Sequence, residues 1–289
     1  MLDVVIALLP ATVAAVVYFG LRALLLIAVS VTTAVLSEFV FNLICKKKQT
    51  VGDLSAVVTG LLLALNLSTK VTVWQTIVGA VFAIIVVKCL FGGIGCNFAN
   101  PAITARVMML IAFGQVAGGA SGSFAELEAG ATPLQILGGE SGSLPSLFDM
   151  FIGNRGGAIG ETCAIAIIVG FIYLVARRVI YWHTPVIFVG TVFVLSFILG
   201  GFDVTFATYH MLAGGLLLSA VFMATDYSTT PTNALGKMIF ALGCGVITVL
   251  IRFYGDYPEG VSFAILFMNI LAPYIEGWTE RRPLGGAKK

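Results

Sequence analysis

The chain has 289 residues, of which 59% are apolar and 10% charged, with a formal net charge of +2 and a mean hydropathy of +1.03. A soluble domain carries about a quarter charged residues, so this composition excludes one and reads as an all-α polytopic membrane protein. The near-neutral balance, with no basic arm and no interleaved aromatics, excludes a nucleic-acid partner.

With roughly 20 residues per span, ten apolar segments follow in chain order. They lie at about 3–19, 22–45, 54–69, 71–91, 98–114, 159–176, 184–201, 208–224, 234–252 and 260–278. No basic region precedes the first run and no small-residue cleavage site follows it, so it reads as a retained span rather than a signal peptide. Cys45, Cys89, Cys96, Cys163 and Cys244 stand singly, without metal-ligand spacing, and are expected to be buried free thiols. The polar joints are short except one, from about Gly114 to Ala158. Lysine and arginine placement sets the orientation. A cytoplasmic N-terminus puts eleven of the sixteen cations inside, among them Lys46, Lys47, Lys48 and Lys88, against four outside (Arg22, Lys70, Arg155 and Arg252). Both termini are therefore expected in the cytoplasm and the long joint on the outer face.

The two halves echo each other. "GLLLAL" from Gly60 matches "GLLLSA" from Gly215, and "VKCLFGG" matches "IRFYGD", with a cation (Lys88, Arg252) at the corresponding place. "NFANPA" from Asn97 and "FMNILAP" from Phe267 each carry Asn and Pro. Five spans per half is odd, so the halves must be inverted. That predicts a first repeat over about 1–114, an outward loop over about 115–157 and a second repeat over about 158–280, with a path at the repeat interface.

Acidic side chains in or beside spans are costly and are functional candidates. Glu38 falls inside the second span, Asp53 opens the third, Glu161 opens the sixth, Asp226 closes the eighth and Glu276 closes the tenth. All have an ordinary reading as well, the hardest to reach being that of Glu38, which is solvated only if the second span ends early. Asp53 and Glu161 suit helix N-termini, Asp226 could cap the next helix, and Glu276 could pair with Arg281 or Arg282. Glu38, Asp53, Asp226 and Glu276 sit towards the expected cytoplasmic side as a candidate cation vestibule, with Asp226, Glu38 and Asp53 as the candidate cation path and simple membrane-edge placement as the alternative. His183 and His210 are lone histidines at span edges and read as interfacial. The long joint is rich in Gly and Ser and contains Gly130-Ala131-Thr132-Pro133. Pro133 biases Thr132 towards an extended backbone. Taken alone, this segment reads as a flexible linker with a turn.

Those motifs together carry a resemblance. "GATPLQ" on an outward loop, "MLDVVIALLPA" at the start, "DLSAVVTGLLLALNL" and "FMATD" resemble the D subunits of Rnf ferredoxin:NAD oxidoreductase complexes. They are similar also to the B subunits of sodium-pumping NADH:quinone oxidoreductases. The similarity covers essentially the whole chain, and the short N-terminus and the Thr-Pro-Leu run favour the Rnf side. Family members usually carry a polar segment before "MLDV", which is absent here, and Ala129 stands where the quinone-reducing relatives often have Ser. The resemblance implies two inverted five-helix repeats like those of ammonium and urea transporters. It implies FMN joined by a phosphoester to Thr132, with Gly130, Ala131 and Pro133 as motif neighbours, and a noncovalent riboflavin as a second flavin. It implies other Rnf membrane and peripheral subunits as partners, Na⁺ or H⁺ as the pumped ion, and a prokaryotic cell membrane as the location. The rival readings are a redox-silent channel or transporter, or a scaffold subunit. Flavin fluorescence that survives denaturation separates them from the flavoprotein.

Overall fold

A computed structural model describes residues 1–114, 132–138, 144–255 and 260–280, and among these every regular element is helical. Gly130 and Ala131 lie outside the described residues. Helix α1 runs over Leu2–Ile44 and is broken at Gly20, whose φ of 66° and ψ of −156° belong to a region that only glycine enters freely. Met1 and Val4 line the same cavity as Lys88, and Lys88 pairs with Glu38. The chain therefore doubles back at Gly20, making α1 two antiparallel arms. The turn itself sits at the opposite end of the bundle. There the Tyr18 hydroxyl donates to the Ile152 carbonyl at 3.1 Å, and Arg22 donates to the carbonyls of Thr69 and Val71.

After a single 3-10 turn at Val51–Asp53, α2 spans only Ser55–Leu65. It crosses α1 closely: a Cβ on Gly60 would lie 2.9 Å from the Val31 Cα, and the Ser30 hydroxyl donates to the Gly60 carbonyl at 2.7 Å. Small residues allow such backbone approach between membrane helices. Helix α3 (Val73–Val81) runs on as a π-helical stretch, Phe82–Cys89. Asn100 caps α4 (Pro101–Phe113) by accepting from the amides of Ala102 and Ile103. Two short helices, α5 (Pro133–Leu137) and α6 (Leu147–Ile152), lie on the long joint.

The second half contains α7 (Ala164–Ala176), α8 (His183–Leu199), α9 (Val204–Leu212), α10 (Leu216–Phe222), α11 (Ala234–Tyr254) and α12 (Val261–Thr279). Helices α9 and α10 form one path bent by 57°, broken at Gly214 and Gly215, which have φ of 71° and 66°. The residue that opens α10, Gly215, has φ 66° and ψ 10°; the residue that opens α2, Leu54, has φ 64° and ψ 9°. Both short helices thus start from the same left-handed geometry.

Among the described residues three helices are long and apolar enough to cross a membrane, or four if α9 and α10 make one span. Large apolar side chains stand outward along them, Leu21, Ile44 and Trp278 each more than 70% exposed. An apolar exterior of this extent fits lipid rather than water. The protein is an all-helical membrane protein.

Candidate functional site

The end of the bundle that holds Met1 and the turn after α1 also holds Glu38, Asp53 and Asp226, whereas Glu161 lies beside the break between α9 and α10. Glu38 on the second arm of α1 is buried and accepts from the Lys88 ammonium at 2.9 Å, each side chain only 2% exposed. The Thr50 hydroxyl donates to the other Glu38 oxygen at 2.5 Å, and is itself held by the Asn42 amide at 3.0 Å. Lys88 donates further to the Ser55 hydroxyl, the first residue of α2. That hydroxyl and the Ser55 amide both donate to Asp53, the amide at 2.8 Å. Glu38, Lys88, Ser55 and Asp53 thus form one continuous network. Asp53 keeps its ordinary helix-start role, and through Ser55 it also reaches a buried cation.

Two cavities flank the network. One, of about 250 Å³, is lined by Glu38, Thr50, Asp53, Lys47, Lys48 and Cys89 among others. The other, of about 140 Å³, has Lys88 and Ser55 on one wall and Asn100, Asp226 and Ser228 on another. Asp226 is held by the Ser228 amide and hydroxyl at 3.2 and 3.0 Å and by the Thr229 hydroxyl at 3.3 Å. Asn100 donates to it at 3.5 Å from the start of α4. The cap of α11 is Asn233, so Asp226 does not start that helix. It shapes the turn after α10 and faces a cavity between the two halves. Glu276 accepts from the Thr232 hydroxyl; Arg281 and Arg282 lie outside the described residues.

At the opposite end, Thr132 is half-buried with φ −64° and ψ 156°, the extended geometry that a following proline favours. It caps α5 in a reciprocal box. Its hydroxyl accepts from the Gln135 amide at 3.3 Å, and the Gln135 side chain accepts from the Thr132 amide at 2.8 Å. Pro133 and Leu134 are buried. A Cβ on Gly214 would overlap a Leu134 methyl and lie 2.8 Å from the Arg252 guanidinium, so α5 rests on the break between α9 and α10, beside Arg252. Arg252 donates to the carbonyls of His210 and Ala213, the latter at 3.0 Å. Deeper in the bundle, Arg106 donates to Asn66 at 2.7 Å and Arg155 donates to the carbonyls of Glu161 and Leu212 at 3.0 and 2.6 Å. The segment that carries Thr132 is thus anchored over a region that holds buried Arg106 and Arg155, half-buried Arg252 and the buried carboxylate of Glu161.

The sequence profile of the NQR2, RnfD, RnfE family matches residues 1–285. The chain belongs to this family. It is 45% identical over 292 residues to the D subunit of the Na(+)-translocating ferredoxin:NAD(+) oxidoreductase complex of Acetobacterium woodii, covering 100% of this chain and 91% of that one. It is 38% identical over 297 residues to the proton-translocating counterpart of Clostridium ljungdahlii, with 97% and 89% covered. To the D subunit of the ion-translocating oxidoreductase complex of Stutzerimonas stutzeri it is 36% identical over 326 residues, with 99% and 91% covered.

Of the acids expected from the sequence, Glu38 and Asp53 come together in one network, and Asp226 faces the adjoining cavity. Lys88 is the residue that sequence reading missed. It counted there only as a cation setting orientation and marking the repeat, whereas the π-helical turn brings it inward against Glu38 and the Ser55 hydroxyl. The signal available was its place beside Cys89, at the matching position to Arg252 in the echoed motif.

Proposed function

We propose that this chain is the D subunit of an Rnf-type ion-translocating ferredoxin:NAD oxidoreductase complex, a redox-driven pump in which it works with the other membrane and peripheral subunits. The full-length match to D subunits, at 45% identity to one of them, carries the reading. Within the complex, FMN is joined through its phosphate to the Thr132 oxygen and relays electrons between ferredoxin and NAD. The residues present fit that group. Thr132 offers a hydroxyl on extended backbone, its successors Pro133 and Leu134 are anchored, and Arg252 sits beside Leu134 as a counter-charge. Bound there, a flavin supplies one- and two-electron chemistry. The protein's part is to fix the attachment point against the bundle and to place the Arg252 charge near it, where a low dielectric strengthens its pull on negative charge.

The architecture is ten spans in two inverted five-helix repeats, with both termini and the Lys88 end cytoplasmic and the Thr132 end on the outer face. The matched left-handed starts of α2 and α10 support this. So do the echoed cations: Lys88 meets the first residue of α2, and Arg252 meets the chain just before α10. Glu38, Asp53 and Asp226 line the cytoplasmic entry of a cation path, supported by the two cavities they face and by the expense of keeping carboxylates at membrane depth without use. The cation is Na⁺ or H⁺, the two ions named among the relatives.

The test uses the assembled complex. After denaturing electrophoresis the wild-type protein should fluoresce as a flavoprotein, and Thr132→Ala should give a dark band of the same mobility. Inverted vesicles given reduced ferredoxin and NAD should accumulate the cation with wild type and fail to do so with Thr132→Ala. A dark wild-type band from active complex would reject the covalent flavin.

A further inference from the structure

We infer that the Lys88 ammonium is a tethered counter-ion, competing with the transported cation for the Glu38 and Asp53 carboxylates and thereby setting the concentration at which the pump takes up its ion. The inference rests on the cation path proposed above and deepens it.

Formal charge is unbalanced in the network: buried Glu38 meets the Lys88 ammonium directly and half-buried Asp53 reaches it through Ser55, two carboxylates to one ammonium, which leaves room for one further monovalent cation. Lys47 and Lys48, which also line the adjoining cavity, are exposed to solvent. The donors are all oxygens, from Glu38, Asp53, Thr50 and Ser55, a hard set that suits an alkali cation and not a soft metal. Cavities adjoin the network on both sides, with Glu38 and Asp53 in the wall of one and Lys88 and Ser55 in the wall of the other. An ion can therefore approach the carboxylates while the ammonium has space to withdraw.

The residue type fits the role. Lysine is a compact charge on a flexible stem with rotatable donors, whereas arginine holds a carboxylate in a rigid fork. A buried pair kept for stability alone has no advantage over apolar residues of the same volume. A pair kept because one partner must yield to an incoming ion does. The π-helical run ending at Cys89 supports the same view, since such segments are frequent at functional positions.

The test is Na⁺-dependent uptake by the assembled complex in inverted vesicles, driven by reduced ferredoxin and NAD and followed with radiolabelled Na⁺. Lys88→Met removes the competing charge and should lower the half-saturating Na⁺ concentration by roughly tenfold or more. Lys88→Arg keeps the charge but grips Glu38 more firmly, and should raise it. A merely structural role would lower the amount of assembled complex or its maximal rate while leaving half-saturation where it is. If Lys88→Met does not assemble, the Lys88→Arg shift decides. Half-saturation unmoved in every variant that assembles overturns the inference, as does the absence of ferredoxin-driven Na⁺ uptake by the active wild-type complex. Asp226→Asn separates the two levels of failure. Loss of Na⁺ uptake in Asp226→Asn beside unmoved Lys88 variants would sink the counter-ion alone, whereas unchanged uptake in Asp226→Asn would sink the path beneath it.

Discussion

Removing one member of a buried ion pair strands the other in a medium that cannot solvate it. Glu38 and Lys88 are each 2% exposed and 2.9 Å apart, so Glu38→Gln should cost about 3–5 kcal/mol of stability. Removing both charges in Glu38→Gln with Lys88→Met should cost far less than the single change, because no orphan charge remains. Thermal unfolding of the detergent-solubilised complex would measure both. A double variant as unstable as Glu38→Gln would mean that the network's hydroxyls, not its charges, hold this end together. The neighbouring residues explain why a carboxylate can sit here at all. Thr50 and Asn42 orient one Glu38 oxygen, Lys88 takes the other, and Ser55 passes the contact to Asp53.

Two short helices, α2 and α10, bring polar groups from the ends of the bundle into its interior. Their left-handed starts at Leu54 and Gly215 are what allow the chain to break there and resume. At Gly215 a side chain faces a double obstacle, a φ of 66° and a Glu161 oxygen 2.9 Å from the position of its Cβ. Gly215→Ala should therefore destabilise the fold by about 1–3 kcal/mol. Gly190→Ala in α8 meets nothing within 4 Å and should be neutral or stabilising by up to about 1 kcal/mol. Equal melting temperatures for the two variants would count against the broken span. This is also where the sequence was least legible. Helices α8, α11 and α12 begin and end within about two residues of the segments expected from hydropathy, because a uniform apolar run leaves the backbone one choice. The segments expected at about 54–69 and 208–224 are instead an 11-residue helix and a bent pair. Hydropathy cannot sense the hand of the backbone at Gly214 and Gly215. Lys88 was hidden for a similar reason. A count of cations assigns it to a face, and only the π-helical turn and the burial of its neighbours reveal that it points inward.

On the scale of the whole molecule, the polar groups divide between two ends with different work. Carboxylates and buried Lys88 gather beside the turn after α1, with Lys47 and Lys48 exposed at its edge; Thr132 and Arg252 gather around the break between α9 and α10. In the proposed topology these ends face the cytoplasm and the outer side. A cysteine placed at Ser121 or Ser143 should then react with a membrane-impermeant thiol reagent in intact cells. Reaction confined to inverted vesicles would reverse the orientation and move the cation entry to the outer face. Separation of this kind gives a physical basis for coupling. Charge added to the proposed flavin at one end would act through a low-dielectric interior on cations in the proposed path at the other, where screening is weak.

The central claim, that this is the flavin-bearing subunit of a redox-driven pump, rests most directly on the Thr132 side chain. Mass spectrometry of the peptide containing Thr132, taken from purified, active complex, should show the mass of FMN less one water, localised to that residue by fragmentation. The corresponding peptide from Thr132→Ala complex should carry no addition. An unmodified Thr132 peptide from flavin-replete, active complex would contradict the account.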